Sequence, residues 1–317
     1  MRDGRLAAID IGSNTIHMIV VQRQRENRLK HVLQKSRLLA LGILEERKGS
    51  LPNYAQASIR RTLESFVRQA REAAASDILV AATAALRDDP QRRTIAARLS
   101  RAVGLPVRIV SKQREIELGF LAARQDLRPT GKQIFVDSGG ASTEITLCEG
   151  RTARQSISLP VGASKLSVLL EGDPPGLLTF ARLMVPIRDA IRNAPPPRGV
   201  RNALFSGGTA HHVCNVAGTP RHLLTRAALE RALRHLLRKP AKKIAKKYDL
   251  DVQRMPLLIS GAVILAAILD HYGLDRAAVT ASTVREGMIQ AYLAQPETWW
   301  RNTARRRNVR GSRSPRS

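Results

Sequence analysis

The chain has 317 residues, of which 43% are hydrophobic, so it is long enough for two globular domains and too apolar for a disordered protein. Its two cysteines, Cys148 and Cys214, exclude a disulfide framework and a cysteine-rich zinc site. Aromatic residues make up 3%, too few for a module that stacks on single-stranded nucleic acid. The sequence begins without a signal-peptide pattern, and its longest apolar run, residues 256–269, is too short to cross a bilayer. We therefore expect a cytoplasmic protein that does not contact a membrane.

The formal net charge of +27 is large. A genome that prefers arginine, together with solvated surfaces, is one explanation. Attraction to a polyanion is the other, whether that polyanion is a nucleic acid, polyphosphate or an anionic surface. Net charge does not separate these explanations, because a long-range electrostatic field depends on the sign of the charges and not on their chemical identity.

Predicted strands and helices alternate along the chain, which is typical of an α/β fold. Helices are predicted where apolar residues recur at a helical period, as at Ile59, Leu63 and Phe66, and strands where the apolar runs are short. In chain order, the predicted strands are residues 7–9, 16–22, 77–83, 105–111 and 203–208. The predicted helices are residues 54–75, 91–103, 114–124, 226–238, 257–270 and 284–293.

A polar segment at residues 124–132 interrupts this alternation and marks the predicted domain boundary. We predict an N-terminal domain over residues 1–126, a C-terminal domain over 127–296 and a tail over 297–317. Residues 299–317 hold seven arginines and no acidic residue, which predicts a disordered basic arm. Removal of the chain after Pro296 is then expected to leave the fold intact.

The stretch AAIDIGSNTIHMIVVQ, residues 7–22, places Asp10 at the end of an apolar run, before the turn formed by Gly12, Ser13 and Asn14. These residue types form ordinary β-hairpin turns. The same turn can also cradle a phosphate with backbone N–H and hydroxyl groups, while the aspartate holds a metal ion beside it. This stretch alone supports both interpretations.

A second stretch, IFVDSGGASTEITLCE at residues 134–149, repeats the arrangement. Asp137 lies 127 residues after Asp10, and Gly139 lies 127 residues after Gly12. Two phosphate-type hairpins a domain's length apart predict two similar domains whose loops face each other across a cleft. Two unrelated hairpins are the alternative.

A third glycine-rich turn occurs in LFSGGTAHHV, residues 204–213, where Gly208 follows a predicted strand and precedes a predicted helix. Backbone N–H groups at the start of a helix suit an anion. A tight strand-to-helix turn with no ligand explains the motif equally well.

Six motifs together resemble the exopolyphosphatase and guanosine pentaphosphate phosphatase family, within the actin-like superfamily. They are AAIDIGSNTIHMIV, ATAALRDDP, SKQREIELGFLA, VDSGGASTEITL, SLPVGASKL and LLISGAVILAAIL…TVREGMI, in the family's order. The resemblance covers the chain to about residue 293 and looks like the short form of the family. It implies an α/β fold of two actin-like (ribonuclease H-like) domains with an interdomain cleft that binds phosphate and Mg²⁺. It also implies stepwise hydrolysis of terminal phosphate from inorganic polyphosphate.

The resemblance also assigns roles to individual residues. It implies that Glu115 is the catalytic glutamate and that Arg87 binds phosphate. Without it, Glu115 would be interpreted as a helix-surface carboxylate paired with Arg114 or Lys112, and Arg87 as a solvated side chain. The other predicted phosphate-binding residues are Gly12, Ser13, Asn14, Gly139, Gly140, Ser142 and Gly208. The predicted metal ligands are Asp10, Asp137 and Glu144.

Three departures from the family pattern concern the rate and the substrate preference, and one of them is Ser138, which replaces an apolar residue. Ala141 stands where the family has a third consecutive glycine, and a positive φ at this position would cost an alanine about 1 kcal/mol. Arg114, immediately before the predicted catalytic glutamate, replaces a residue that is commonly acidic. Three rival functions follow: a guanosine pentaphosphate 5′-phosphatase, a kinase of the same superfamily, and a non-catalytic protein that binds polyanions. The sequence leaves the oligomeric state open, including a homodimer.

Overall fold

The computed structural model describes residues 4–24, 28–220 and 222–302, and the strands of these residues form two sheets. The first half consists of β1 (Arg5–Ile11), β2 (Thr15–Arg23), β3 (Leu29–Leu38), α1 (Leu41–Lys48), α2 (Asn53–Glu72), β4 (Ala75–Ala82), α3 (Ala84–Arg87), α4 (Arg92–Val103), β5 (Val107–Ile109) and α5 (Lys112–Ala123). The second half consists of β6 (Lys132–Ser138), β7 (Thr143–Glu149), β8 (Thr152–Leu159), α6 (Ala163–Ser167), α7 (Gly176–Ile191), β9 (Asn202–Ser206), α8 (Gly208–Ala217), β10 (Leu223–Thr225), α9 (Arg226–Arg238), α10 (Ala241–Tyr248), α11 (Met255–Tyr272), β11 (Arg276–Val279) and α12 (Val284–Ala294).

The two sheets repeat one strand arrangement. The first has the order β3-β2-β1-β4-β5 and the second the order β10-β11-β9-β6-β7-β8. In each, the strand that ends in the motif aspartate pairs antiparallel with the next strand and parallel with a later one. Asp10 lies opposite His17, and Asp137 lies opposite Glu144. The repeat predicted from the spacing of the two hairpins is therefore confirmed in the strand pairing.

The hydrophobic core of the first half shows why its elements form where they do. Ile59, Leu63 and Phe66 recur at the period of α2, so that they share one face of this helix, and all three are buried against the first sheet. The same cluster contains Ile9 of β1 and Leu99 of α4. The predicted helices over residues 54–75 and 91–103 are thus confirmed to within a few residues.

The last helix, α12, packs on the first half of the chain and not on the second. Val284, Met288 and Ile289 are buried in one cluster with Ala8 of β1 and Leu118 of α5. Helices α2 and α4 cover one face of the first sheet, and α12 joins α5 in covering the other face. The predicted boundaries assigned residues 284–296 to the C-terminal domain, so the packing differs from that division. The reason is that the second face of the first sheet requires an apolar cover.

Residues 297–302 also belong to the packed part of the chain. Trp299 is only 5% exposed, and its carbonyl oxygen accepts hydrogen bonds from Nε and Nη2 of Arg114 at 2.8 and 2.7 Å. The Arg108 guanidinium lies over the Trp300 ring, 4.5 Å from its centroid. The predicted disordered tail therefore cannot begin at residue 297, because two tryptophans hold this segment on the first half. Residues 303–317 of that tail lie outside the described residues.

Helix α11 carries the longest apolar run of the chain. Together with the 3₁₀ turn Val252–Arg254 it forms a helical segment of 21 residues, which is long and apolar enough to cross a membrane by length and composition. The expectation that this run is too short is therefore wrong. However, 72% of the most apolar part of this segment is buried inside the protein, where Leu258, Ile264 and Leu265 join the core of the second half. This burial is the pattern of a core helix.

The contacts of Trp299 predict that two C-terminal truncations differ in stability. A chain that ends after Pro296 loses a buried tryptophan and leaves the buried Arg114 guanidinium without its carbonyl acceptor. We expect its free energy of unfolding to be about 3 kcal/mol or more below that of a chain that ends after Asn302. Urea denaturation of both truncations checks this, and equal midpoints would contradict the packing of Trp299.

Candidate active site

The glycine-rich loops of the two halves touch each other. A Cβ atom on Gly140 would come within 2.8 Å of Asn14 Nδ2, Ser13 Cβ and Ser164 Oγ. Only a residue without a side chain allows this approach. The Ser164 hydroxyl of α6 donates a hydrogen bond to Asn14 Oδ1, which links the two halves directly. The predicted phosphate-binding residues of the first and second loops are therefore brought together at one point between the halves.

Both loops are closed by the same backbone hydrogen bond. The N–H of Gly12 donates to the carbonyl of Thr15 at 3.3 Å, and the N–H of Gly139 donates to the carbonyl of Ser142 at 3.0 Å. These two glycines therefore shape the turns, and their amides are already engaged. The next amides along each loop, including those of Ser13 and Gly140, make no backbone hydrogen bond within the described residues. They are the donors available to an anion.

The Ala141 substitution does not strain the loop. Among the described residues, positive φ values at non-glycine positions occur at Ala40, Ala74 and Asp249, and not at Ala141. The side chain of Ala141 is buried, with 8% of its surface exposed. The expected cost of alanine at this position is therefore absent, because the turn holds Ala141 in an ordinary backbone conformation.

The third turn lies beside the second loop. Gly207 has a φ of 99°, a conformation that a side chain would strain, and a Cβ on it would come within 3.2 Å of Asp137 Oδ1. The next residue, Gly208, begins α8, and a Cβ atom placed on it would have no neighbouring atom within 4 Å. No side chain forms a capping hydrogen bond at the start of this helix. The start of α8 therefore borders open space close to Asp137, as the prediction for Gly208 requires.

Three carboxylates, those of Asp10, Asp137 and Glu144, gather around Glu115 between the halves. Burial, and to a smaller extent the nearby negative charge of Glu115, raises the pKa of Asp10 to about 7. The same two causes, in the same order, raise the pKa of Asp137 to about 7 and that of Glu144 to about 8. Glu115 acts on all three carboxylates, so the structure brings the predicted metal ligands and the predicted catalytic residue into one cluster.

Glu144 is held by hydroxyl groups. Its Oε1 accepts a hydrogen bond from Ser158 Oγ of β8 at 2.7 Å, and the Ser142 side chain also bonds to it. Because both bonds favour the charged form, they oppose the rise in pKa that burial causes. Ser142, predicted as a phosphate ligand, is thus also a partner of the carboxylate two residues later.

Glu115 pairs with Arg87, and not with the neighbours that the alternative interpretation named. Arg87 Nη1 donates to Glu115 Oε2 at 2.5 Å, and both side chains are mostly buried. Burial raises the pKa of Glu115, and Arg87 opposes that rise. Arg114 on the same helix turns away and bonds to Glu117 and to the Trp299 carbonyl. The interpretation of Glu115 as a helix-surface carboxylate paired with Arg114 is therefore wrong.

Arg285 is a site residue that the sequence prediction missed. It lies in the first turn of α12, is 6% exposed, and lowers the pKa of both Asp10 and Asp137. Its Nε donates to Thr283 Oγ1 at 3.0 Å, whereas its Nη1 is buried with no hydrogen-bond partner. The arginine belongs to the TVREGMI motif, so a signal existed in the sequence, but its partners come from the other end of the chain.

Three buried carboxylate or guanidinium atoms of this cluster lack hydrogen-bond partners within the described residues. They are Asp10 Oδ1, Arg87 Nη2 and Arg285 Nη1. Buried polar atoms are normally satisfied, so unsatisfied atoms of both signs in one place indicate a site that binds a charged ligand. One carboxylate oxygen is left for a cation, and two guanidinium nitrogens are left for an anion.

The residues fit a divalent cation of the kind that keeps part of its water shell. No three histidine, cysteine, aspartate or glutamate residues of the described chain are close enough to form a closed metal site. Mg²⁺ commonly takes one or two carboxylates and completes its shell with water and phosphate oxygens. The unsatisfied Asp10 Oδ1 and the raised pKa values of Asp137 and Glu144 are consistent with such a partial ligand set.

Comparison with known sequences places this arrangement in one family. A model of the Ppx/GppA phosphatase family matches residues 20–295. Exopolyphosphatase 1 of Mycobacterium tuberculosis is 24% identical over 303 residues, which cover 90% of this chain and 87% of that protein. Exopolyphosphatase 1 of Mycobacterium leprae is also 24% identical, over 90% of this chain and 88% of its own length. The resemblance inferred from the six motifs is confirmed.

Solved structures confirm the predicted fold class. The Ppx/GppA family member of Aquifex aeolicus superposes with a TM-score of 0.76 at 23% identity, over 93% of this chain and 99% of that one. An exopolyphosphatase from Cytophaga hutchinsonii gives a TM-score of 0.79 at 19% identity, over 92% and 98% of the two chains. At these identities the likeness shows the fold, and the chemistry rests on the residues described above.

The raised carboxyl pKa values predict a dependence of stability on pH. The pKa of Asp137 rises from its ordinary 3.8 to about 7 on folding, so the folded protein binds more protons between these values. Stability that is fully present below pH 3.8 is therefore lost as the pH rises through about 7. Asp137→Asn removes this contribution. Between about pH 5 and 8, the free energy of unfolding should therefore fall less in the variant than in the wild type, and the two losses should differ by about 1 kcal/mol or more.

Urea denaturation in metal-free buffer measures this difference. Asp189→Asn, at an exposed carboxylate of α7, is the matched control and should follow the wild type. If Asp137→Asn and the wild type lose stability in parallel across this range, the pKa of Asp137 is not raised.

Proposed function

Because the chain belongs to the Ppx/GppA phosphatase family, we propose that it is an exopolyphosphatase, which releases the terminal phosphate of linear inorganic polyphosphate. The observation that carries the proposal is the buried Glu115–Arg87 pair, with Asp10, Asp137 and Glu144 around it, at the place where the glycine-rich loops meet. The names of the Mycobacterium relatives support the choice of substrate.

The proposed binding step uses groups that lack partners in the protein. The amides of Ser13 and Gly140, with the start of α8 at Gly208, would donate hydrogen bonds to the terminal phosphate. Arg87 Nη2 is free to join them while its Nη1 stays on Glu115. A guanidinium can bind the carboxylate and the phosphate at once because its donors point in fixed, separate directions.

Glu115 is the proposed general base. It would accept a proton from a water molecule as that water oxygen forms a bond to the terminal phosphorus and the bond to the bridging oxygen breaks. The leaving chain is then one phosphate shorter, and one orthophosphate is released. Burial raises the pKa of Glu115 above its ordinary value, which makes this carboxylate a stronger base. Arg87 would keep Glu115 oriented towards the phosphate.

A divalent cation is part of the proposal. Asp10 and Asp137, with Glu144 acting through water, would hold Mg²⁺, which neutralises phosphate charge when it is bound. The chain itself supplies Arg285, whose guanidinium reduces repulsion between the two aspartates and an incoming anion.

One assay tests the proposed function. Orthophosphate release from long polyphosphate, measured with and without Mg²⁺, should be rapid and dependent on the metal. Guanosine pentaphosphate, assayed beside it, should be the slower substrate. Faster phosphate release from guanosine pentaphosphate would indicate the related 5′-phosphatase activity instead. Polyphosphate binding without release under any metal condition would overturn the proposal in favour of a non-catalytic polyanion-binding protein.

Glu115→Gln tests the general base. The change keeps the size of the side chain but removes the proton acceptor, so turnover should fall by at least about 100-fold. Polyphosphate binding should persist or tighten, since one negative charge beside the polyanion is lost. Steady-state phosphate release and equilibrium binding measure the two effects. Glu64→Gln, at the partly exposed Arg60–Glu64 pair of α2, is the control and should be unchanged. A normal kcat in Glu115→Gln would sink the proposed mechanism.

Arg87→Lys tests the double contact of this arginine. A lysine ammonium cannot bind the Glu115 carboxylate and a phosphate in the same forked geometry. The KM for polyphosphate should rise several-fold and kcat should fall by less, because the contact is already present in the ground state. Arg60→Lys on α2 is the matched control. Kinetics of Arg87→Lys equal to those of Arg60→Lys would mean that Arg87 does not touch the substrate.

A further inference from the structure

Helices α9 and α10 carry a dense surface of positive charge outside the cleft. We define the α9–α10 basic face as the exposed residues Arg231, Arg234, Arg238, Lys239, Lys242, Lys243, Lys246 and Lys247. The opposite side of both helices is apolar and buried, with Leu233 and Leu237 of α9 and Ile244 of α10 in the core. Packing therefore directs these charged side chains to one outer surface.

The composition of this face differs from that of the rest of the chain. The protein has eleven lysines, and five of them lie between residues 239 and 247. A general preference for arginine explains positive charge elsewhere in the sequence but does not explain a cluster of lysines. The lysine cluster therefore requires an explanation that is specific to this part of the chain.

The cluster also opposes helix stability. Lys242 and Lys243 precede Lys246 and Lys247 by four residues, a spacing at which like charges repel along a helix by about 0.2–0.5 kcal/mol per pair. Helix α2 shows the opposite arrangement at Arg60 and Arg68, each of which pairs with a glutamate four residues on. On the basic face, the described residues provide one ion pair, Arg234–Glu230 at 3.8 Å. An arrangement that costs stability and leaves charges unpaired is typical of a surface that binds a polyanion.

The two helices form one continuous surface. The rings of His235 and Tyr248 meet edge to face, with centroids 5.9 Å apart, which joins α9 to α10. Burial is the main cause that lowers the pKa of His235, and the positive charges of Lys247 and Lys239 also lower it. The positive field of both ends of the face therefore reaches this residue.

The basic face begins at the groove between the two halves. The N–H of Ala241, the first residue of α10, donates to Asp173 Oδ1 at 2.6 Å. Both residues line a cavity of about 320 Å³ whose other wall includes Ile43 and Arg47 of α1. The same helix α1 meets the glycine-rich loops at its start, where the N–H of Gly42 donates to the Ser13 carbonyl at 2.6 Å. Helix α1 therefore runs from the candidate active site to the edge of the basic face.

We propose that the α9–α10 basic face is a second binding site for the polyphosphate chain, which holds the distal part of a long substrate while its terminal phosphate lies in the cleft. This proposal rests on the proposed function for its substrate. A polyphosphate suits the face better than a single-stranded nucleic acid, because Tyr248 is the aromatic residue of these two helices and its ring already contacts His235 and Lys247. A polyphosphate chain that is too short to extend out of the cleft does not reach the face, so the face adds nothing to its binding affinity.

The test compares two variants that lose the same charge. The first carries Lys242→Gln, Lys243→Gln, Lys246→Gln and Lys247→Gln. The control carries Arg92→Gln, Arg93→Gln, Arg98→Gln and Arg101→Gln on the exposed side of α4. Both sets are solvent-exposed, and glutamine is a good helix former, so neither variant should melt below the wild type, and the α10 variant should melt slightly above it because like-charge repulsion is removed. Binding of end-labelled long polyphosphate is measured in metal-free buffer, where no turnover is needed.

The α10 variant should bind long polyphosphate about tenfold more weakly than the wild type, and the salt dependence of its binding should be shallower by about 2 to 3 units of the log–log slope. The control should change by much less, and tripolyphosphate should show the same affinity and the same rate of phosphate release in all three proteins. Equal losses in the two variants, or an RNA of matched phosphate number that competes as well as polyphosphate, would overturn the proposal. Failure of the wild type to release phosphate from polyphosphate of any length would overturn the proposed function instead, and the binding result would still decide whether the face is a docking site.

Discussion

The concentration of buried negative charge around Glu115 constrains everything else at the candidate active site. Four carboxylates share this space with Arg87 and Arg285, and burial raises the pKa of each carboxylate. In a medium of low dielectric constant, such a cluster is stable only if it holds protons or receives positive charge. The two arginines supply part of that charge. A divalent cation that arrives with a phosphate chain would supply the rest, which links substrate binding to the state of the cluster.

The repeated hairpins build this cluster unequally. Asp10 and Asp137 occupy the same place in each half, but the residue seven positions later is His17 in the first half and Glu144 in the second. Burial, together with the nearby Arg285, lowers the pKa of His17 to about 3, so this imidazole stays neutral. A second glutamate at this position would add a further negative charge to an already crowded site. The repeat thus provides two similar glycine-rich loops while limiting the buried charge.

Local sequence patterns predicted the elements whose apolar residues repeat within a few positions. The hairpin strands β1 and β2 and the helices α2, α4, α9 and α12 lie where apolar spacing placed them, and the two hairpin loops face each other as predicted. The sequence analysis missed β3, because its outer residues Lys30, Lys35 and Arg37 are polar and its pairing with β2 depends on backbone hydrogen bonds. No periodicity of side chains marks an exposed edge strand of this kind.

By itself, the sequence determined the α/β class, the repeat of two aspartate-containing turns and the residues that could bind phosphate, since each of these depends on residues close together in the chain. Only the tertiary structure decided that α12 returns to the first sheet, that Arg285 faces Asp10 and Asp137, and that Arg114 binds the Trp299 carbonyl. Each of these contacts joins residues far apart in the sequence. Which partner a buried charge finds depends on how apolar faces are covered when the whole chain packs, and no short stretch of sequence contains that information.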